Sequence, residues 1–453
     1  MTRSEQVGLG ALVAAFASAY AVVGLFRHWY FGSSAYDLGI FDQVIWRMSR
    51  FEAPISSIKG HINIFGDHFH PIIALLAPLY WIAPRAETLI VAQSVLMAAS
   101  IAPVFAFARR RLSTGQATAV AVAYALFWGI QRTVWFDFHE AAFAPLLIGI
   151  AINAVDLRRW RLLWITCVAL WLVKEDMILL VAGIGGWVFL FVDRRQGLWL
   201  GVVSLVLFPI VVLVVIPGFG NADWTYADSF ARVQAEPWMA PIIAVTPPRK
   251  ILTIILWLAP FMFLPLGSRW SLLAVAIALQ RLLSDSPNHW GYGAHYSAPF
   301  APILAAGAAD ALARIRNAVG TAGRRTWMVP ALLTLMVVMS AILPGRQAVW
   351  RVFTAKHYRH HPDRATAAEA FARIPPDASV VAQGTIVPHL SHRDRIYMLE
   401  DGAPDADYVI AASTRLATWP ALNPQTVDAW LEQRRQAGYL EIFAKDGWVV
   451  LRR

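Results

Sequence analysis

Polar residues suited to acid–base and anion chemistry occur in five short stretches of an otherwise apolar chain. They are YDLGIFDQ (36–43), FGDHFHP (65–71), FDFHEAAF (136–143), KEDM (174–177) and NHWGYGAHYSAPF (288–300). A carboxylate can take a proton from a hydroxyl group, and histidine and lysine can bind an anionic group. Charged groups in a membrane environment are costly and usually mark function. These stretches therefore contain the candidates for a functional site.

The first stretch places Asp37 and Asp42 among large apolar side chains. If a helix began at Asp37, Asp42 would lie roughly 140° around its axis, so the two carboxylates would not share a face. Asp37 and Asp42 are therefore both catalytic candidates, and we expect one of them to be catalytic and the other structural. Helix capping and loop solvation are the structural alternatives.

The second stretch has alternating groups that could coordinate a metal ion. Asp67, His68 and His70 follow one another at spacings common among metal ligands. Asp37, Asp67 and His68 are the candidate ligands of a divalent ion, although no cofactor is required by the sequence. The alternative is an interfacial loop that precedes Pro71.

The remaining candidates would contact a substrate. Asp137 is the third catalytic candidate, and its spacing from Glu140 would place both acids on one face of a helix. Helix-end solvation, a tight turn with a local ion pair and interfacial aromatic anchoring are the structural alternatives. The predicted substrate-binding or phosphate-binding residues are His68, His70, His139, Glu140, Lys174, Glu175, Asp176, His295 and Tyr296.

Composition defines the class of protein that positions these residues. The 453-residue chain is 58% hydrophobic and 15% charged, with 20 Trp and 24 Phe, which is outside the range of soluble domains. Its net charge of +10 comes from arginine clusters between apolar runs, a pattern of cytoplasmic loops rather than of a nucleic-acid surface. The single cysteine, Cys167, excludes a disulfide framework within the chain. We therefore expect an integral membrane protein with no nucleic-acid partner.

Arginine clusters at 109–111, 158–161, 193–195 and 314–325 predict the orientation, since such clusters remain in the cytoplasm. With the N-terminus inside, residues 27–86 form a large outer loop. We predict about eleven transmembrane helices within residues 1–343. The crossings lie near 7–26, 87–108, 117–134, 141–157, 161–174, 177–193, 197–217, 251–266, 269–283, 297–314 and 327–343.

Two further features follow from this topology. The apolar segment 71–84 is too short to cross a bilayer, so it would lie at the outer surface or re-enter it. All five polar stretches fall at outer helix ends or in outer loops. We therefore expect one outward-facing site.

The C-terminal residues 344–453 differ in composition and predict a small α/β domain outside the cytoplasm. No glycine-rich loop follows a strand, so no nucleotide site is indicated. The predicted strands are Ser379–Ala382, Arg395–Leu399, Tyr408–Ala411 and Trp448–Leu451, with a helix at Asn423–Ala437.

Three motifs carry a resemblance to known membrane enzymes: YDLGIFDQVIW (36–46), FGDHFHPIIALLAPLYWI (65–82) and VPHLSHRDRIYML (387–399). The chain resembles the C-type (GT-C) glycosyltransferases, which take a sugar from a polyprenyl-phosphate carrier at the outer face of a membrane. More closely, nearly the whole chain is similar to a bacterial and archaeal family of polytopic membrane proteins of unassigned function, considered distant members of that superfold.

The resemblance implies roles for individual residues. Asp37 takes the position of the first-loop carboxylate that activates an acceptor hydroxyl, and Asp137 resembles an acid found before a later crossing. His70 and Pro71 resemble an element before the surface helix, without its second proline. Relatives carry a lysine near the lipid phosphate where this chain has His68 and His70.

The resemblance also implies a function, an inverting transfer of sugar from a polyprenyl-phosphate donor to a cell-envelope glycan, lipid or protein. The location it implies is the bacterial inner membrane, with the site and the C-terminal domain outside the cytoplasm. Some relatives use a divalent ion and others do not. The alternatives from other classes are a membrane transporter and a non-catalytic envelope assembly or binding protein.

Overall fold

The computed structural model describes residues 1–220, 224–322, 327–345, 347–358, 363–412 and 424–453, most of which are helical. Helices suit this apolar chain because they satisfy the backbone hydrogen bonds within a segment, without water. The first helix begins at a capping box in which Thr2 and Glu5 bond to each other's backbone amides.

Ten α-helices of eight or more residues precede residue 220. They are α1 Arg3–Trp29, α2 Ile40–Ser49, α3 Glu87–Ala99, α4 Ile101–Arg109, α5 Thr114–Leu126, α6 Trp128–Trp135, α7 Ala144–Asp156, α8 Trp160–Trp171, α9 Glu175–Phe191 and α10 Arg194–Ile210. An apolar 3₁₀-helix, Pro71–Trp81, lies between α2 and α3. The later helices of this length are Arg249–Leu258, Val275–Leu283, Phe300–Ala322, Met328–Ile342, Asp363–Phe371 and Pro424–Gln436.

In the described part of the chain, four helices are long and apolar enough to cross a bilayer. These are Arg3–Trp29, Glu87–Arg109, Arg194–Gly218 and His295–Ala318. Shorter apolar helices include Pro71–Trp81, Trp160–Trp171 and Met328–Ile342. The fold is therefore that of a polytopic helical membrane protein, and the number of about eleven crossings stays a prediction.

Some predicted crossings are interrupted. The predicted crossing 117–134 consists of α5 and α6, which meet at Phe127, whose ψ of 133° is not helical. The predicted crossing 251–266 ends as an α-helix at Leu258, because Pro260 follows and cannot donate a backbone hydrogen bond. Hydropathy alone did not indicate these interruptions.

The helices α9 and α10 pack as a close antiparallel pair. A Cβ atom added to Gly185 would overlap the backbone of Gly201, and one added to Gly197 would overlap the backbone of Phe189. Glycine thus permits the two backbones to approach each other, as small residues do in other membrane helix pairs. Lys174, Glu175 and Asp176 lie at the start of this pair.

The C-terminal region contains a five-stranded mixed sheet with the strand order β4-β3-β5-β7-β6. All four predicted strands are confirmed, as β3 Val380–Ala382, β4 Ile396–Met398, β5 Tyr408–Ala411 and β7 Trp448–Arg452. The fifth, β6 Leu440–Lys445, was missed because it is a largely exposed edge strand that lacks a clear alternation. β1 Ile55–Ser56 and β2 Ile62–Asn63 form a separate short hairpin in the first loop.

The predicted C-terminal helix is confirmed as Pro424–Gln436. Its predicted first residue, Asn423, lies outside the described residues.

The first loop and the C-terminal sheet contact each other directly. The amide of Ala35 donates to the carbonyl of Gly384 at 2.7 Å. The Ser57 hydroxyl donates to the carbonyl of Ile396 at 2.8 Å and accepts from its amide at 3.0 Å. Ser57 therefore forms hydrogen bonds with backbone groups of the edge strand β4. Backbone groups on an edge strand have no partner strand on that side.

We expect Gly197→Leu to destabilise the protein, because the added side chain must separate α9 from α10. Overpacking of this kind costs typically 1–3 kcal/mol. The thermal unfolding midpoint of the purified protein in detergent should fall. Gly186→Leu on α9 is the matched control, since no atom lies within 4 Å of a Cβ at that position. Equal midpoints for the two variants would contradict the close packing.

Candidate active site

The loop that carries Asp37 is attached to a second polar stretch through Asp137. Arg27, near the end of α1, donates to the Asp137 carboxylate, and the amide of Ser34 donates to its other oxygen at 2.8 Å. Both oxygens of Asp137 are thus used in positioning the loop. This geometry favours a positioning role for Asp137, and its predicted catalytic role stays a prediction.

The backbone at Asp37 is strained. Its φ of 68° and ψ of −89° lie near the rare classic γ-turn, and the preceding Tyr36 is extended. The premise that a helix begins at Asp37 is therefore wrong, since α2 begins at Ile40. Such a conformation costs on the order of 1–3 kcal/mol and persists where the surroundings fix it, often at functional sites.

The Asp37 side chain is partly buried, and within the described ranges its carboxylate has no hydrogen bond or ion pair. The pKa of this carboxyl is raised to about 6, and burial is the largest cause. The charges of Asp137 and Glu140 raise the pKa further, while those of His139 and Lys174 lower it in part. A carboxyl group with a pKa this close to neutrality is suited to general base catalysis.

Glu140 is buried between two partners. Its Oε1 lies 3.3 Å from Lys174 Nζ, and its Oε2 lies 2.9 Å from His139 Nδ1. The helix expected around this stretch is instead a short 3₁₀-helix, Glu140–Phe143, and the chain is extended at His139. Asp137 and Glu140 therefore share no helical face, contrary to the sequence prediction.

His68 is held against the start of α9. Its Nδ1 lies 2.6 Å from Glu175 Oε1, while the amide of Phe69 donates to Glu175 Oε2 at 3.0 Å. The ring of Tyr226 stacks on the His68 ring with centroids 4.0 Å apart. Burial, followed by the charge of Lys174, lowers the pKa of His68 to about 3, so this ring is neutral at pH 7.

Two of the three proposed metal ligands, Asp67 and His68, have other partners. Asp67 Oδ2 lies 3.0 Å from Lys59 Nζ, and Asp67 Oδ1 accepts from the Tyr226 hydroxyl at 3.3 Å. Within the described residues, no group of three or more His, Cys, Asp or Glu is arranged to hold a metal ion. The arrangement of Asp67 and His68 favours ion pairing and hydrogen bonding over metal coordination.

Two buried histidines retain unused hydrogen-bonding capacity. In the described part of the chain, neither ring nitrogen of His70 or of His295 has a hydrogen-bond partner. The His295 ring lies against that of His139 with centroids 3.9 Å apart, and His70 packs against Phe41. Buried polar atoms are normally hydrogen-bonded. These ring nitrogens are therefore available to a bound group.

Arg281 belongs to the same cluster but was missed by the sequence analysis. It donates to Asp176 Oδ2 at 2.9 Å and lies 5.0 Å from the centroid of the Tyr296 ring. Together with Lys174 and His295 it lines a small cavity. The signal was present in the sequence, because Arg281 is a charged residue within a predicted crossing.

Asp42 occupies a different environment from Asp37. Its carboxylate accepts from the Tyr80 hydroxyl at 2.5 Å and from the Ser391 hydroxyl, and it lies 3.0 Å from His392 Nε2. Ser391 and His392 come from the C-terminal region, so Asp42 joins α2 to that region and to the Pro71–Trp81 helix. No local spacing in the sequence indicates these distant partners.

Comparison with solved structures defines the class of this fold. ArnT from Cupriavidus metallidurans aligns with a TM-score of 0.58 in the apo state and 0.56 when bound to undecaprenyl phosphate. The identities are 13% and 14%, and each alignment covers 98% of both chains. The oligosaccharyltransferase of Archaeoglobus fulgidus, in complex with zinc and sulfate, aligns at a TM-score of 0.45 and 14% identity, over 89% of this chain and 68% of that one. The chain has the fold of the GT-C membrane proteins.

Comparison with family models is more specific. Residues 27–450 match the model described as "Predicted membrane protein (DUF2079)", and the chain belongs to that family. No curated protein sequence matches. The fold and the family expected from the three motifs are therefore confirmed.

We expect Tyr80→Phe to destabilise the contact between the first loop and the C-terminal region, since it removes a buried hydrogen bond to the Asp42 carboxylate. Hydrogen bonds to charged groups contribute about 1.5–3 kcal/mol. The unfolding midpoint in detergent should fall below that of Tyr358→Phe, whose exposed hydroxyl donates only to the Val352 carbonyl. Identical midpoints for both variants would argue against the structural role of Asp42.

Proposed function

We propose that this protein is a membrane glycosyltransferase that transfers a sugar from a polyprenyl-phosphate carrier to a hydroxyl acceptor of the cell envelope. The observation that carries the proposal is the unpaired, partly buried Asp37 carboxylate beside the cluster formed by Lys174, His139 and Glu140. The GT-C fold is consistent with this chemistry. The site would face the outside of the cytoplasmic membrane.

Asp37 would act as the general base. Its carboxylate takes the proton from the acceptor hydroxyl while the acceptor oxygen forms a bond to the anomeric carbon. On the opposite side of that carbon, the bond to the phosphate oxygen breaks, and the polyprenyl phosphate leaves with the electron pair. The configuration inverts because attack and departure occur on opposite faces.

The leaving phosphate would be bound by the cationic and neutral donors of the cluster. Lys174 and Arg281 are the cations that line the cavity, and His295 contributes a ring with both nitrogens unused. Charge-assisted hydrogen bonds to a phosphate are stronger than neutral ones. His70, which also has two unused nitrogens, is a further donor for the same group.

The placement of the acids supports a transferase over a transporter. Glu175 and Asp176 lie in the first turn of α9, and Asp137 and Glu140 lie in the connection between α6 and α7. An ion pathway would require such groups near the middle of crossing helices. The acids instead gather around loops, where a lipid-borne substrate and a polar acceptor could meet.

We expect Asp37→Asn to abolish transfer by removing the base, while undecaprenyl phosphate remains bound. Loss of a general base lowers a rate by about 10²–10⁴-fold. The purified protein is reconstituted with a panel of undecaprenyl-phosphate sugars and an envelope lipid extract, and release of undecaprenyl phosphate is measured. Glu236→Gln is the matched control, because Glu236 is an exposed acid that is far from Asp37 in the sequence.

The two parts of the proposal are tested separately. Binding of undecaprenyl phosphate is measured by its effect on the unfolding midpoint, in the wild type and in Lys174→Gln. Release at the wild-type rate by folded Asp37→Asn would remove Asp37 as the base. Equal binding by wild type and Lys174→Gln would remove Lys174 from the phosphate site.

The rate of release should increase with pH between 5 and 7. The base must be ionised to accept a proton, and burial raises the pKa of Asp37 to about 6. The ionised fraction then grows by roughly tenfold between pH 5 and pH 7. Initial rates at saturating donor give the profile, and binding of undecaprenyl phosphate over the same range is the control. A rate that stays flat between pH 5 and 7 would contradict the assignment.

A further inference from the structure

An open apolar groove lies between α1, α3 and the Pro71–Trp81 helix, and its lining includes no residue of the cluster around Asp37. One wall is α3, from Glu87 to Leu96, and this wall is about 13 Å long at 1.5 Å per residue. The other walls are the last turns of α1 and the C-terminal end of the Pro71–Trp81 helix. The volume of the groove is about 630 Å³, and its lining is almost entirely apolar.

One end of the groove is polar. Arg85 lies there, immediately before α3, and its exposed guanidinium has no ion-pair partner among the described residues. The neighbouring Glu87 also lines this end of the groove; its carboxylate forms no ion pair with Arg85 and accepts a hydrogen bond from Trp29 Nε1 at 3.0 Å. Thr88 donates to the carbonyl of Ala83. Arg85 is thus a cation without an ion-pair partner, among the described residues, at one end of the apolar groove.

The surface beside the polar end is suited to the interface of a bilayer. Trp81 and Ile82 are 62% and 85% exposed, and Phe51, which is 88% exposed, contacts the Trp81 ring. Exposed aromatic residues of this kind lie at the level of lipid headgroups. Val91 and Val95 continue the exposed apolar surface along α3, where the chains of lipids lie.

We propose that this groove binds one anionic phospholipid of the bilayer, with a fatty acyl chain between α1 and α3 and the headgroup phosphate on Arg85. The apolar walls, the unpaired cation at one end and the interfacial aromatic residues beside it all match such a lipid. A zwitterionic lipid carries its own cation and is attracted less by Arg85. The site is separate from the proposed transferase chemistry and does not depend on it.

The test measures which lipid stays bound to the purified protein. The wild-type protein is incubated in mixed vesicles of phosphatidylglycerol and phosphatidylcholine, extracted in mild detergent and examined by native mass spectrometry. We expect the wild type to retain phosphatidylglycerol in preference and Arg85→Gln to retain it about tenfold less. Ala92→Trp fills the groove and should lose both lipids.

Arg50→Gln is the matched control, because Arg50 is also exposed in the first loop but pairs with Glu52 at 2.9 Å and lies outside the groove. Its lipid retention should equal that of the wild type, and thermal unfolding shows that each variant is folded. Equal retention of phosphatidylglycerol by Arg85→Gln, or equal retention of the two lipids by the wild type, would overturn the proposal. Displacement of phosphatidylglycerol by equimolar undecaprenyl phosphate would overturn the assigned occupant.

Discussion

The structure depends on the high cost of placing a charge in an apolar bundle without a partner. Isolated buried charges are strongly unfavourable, so acids in such places are paired or hydrogen-bonded. Glu140 has Lys174 and His139, Glu175 has His68 and a backbone amide, and Asp176 has Arg281. These pairs bring four separate parts of the chain to one place. Within the described residues, Asp37 is the exception, because its carboxylate lies among these groups and has neither a hydrogen bond nor an ion pair.

Two acids that do have partners hold Asp37 in its unpaired position. Asp137 attaches the loop in front of Asp37 to Arg27, and Asp42 attaches the helix behind it to Tyr80 and to the C-terminal region. The backbone of Asp37 can therefore remain at a φ of 68° that the residue alone would avoid. The C-terminal sheet contributes to the site in this indirect way, through backbone and side-chain contacts with the first loop.

The sequence predicted the helical membrane fold and four of the five sheet strands because hydrophobic runs and alternation are local signals. It also singled out Asp37, Lys174 and the histidines, because polar groups are conspicuous in an apolar chain. It could not predict that Asp37 precedes its helix by three residues, since the loop is held by a bond from Ser34 to Asp137 and one from Ala35 to Gly384. Both partners are distant in sequence. His392 was missed for the same reason, because its partner Asp42 is distant in sequence.

The unpaired carboxylate and the unpaired histidines are best understood together. A protein selected only for stability would bond the ring nitrogens of His70 and His295 and would replace Asp37 by a neutral residue. The site instead retains an acid with a raised pKa, which can accept a proton, beside ring N–H groups that can donate to an anion. In the proposed transfer of a sugar from its phosphate to an alcohol, Asp37 would accept the alcohol proton and the ring N–H groups of His70 and His295 would donate to the phosphate.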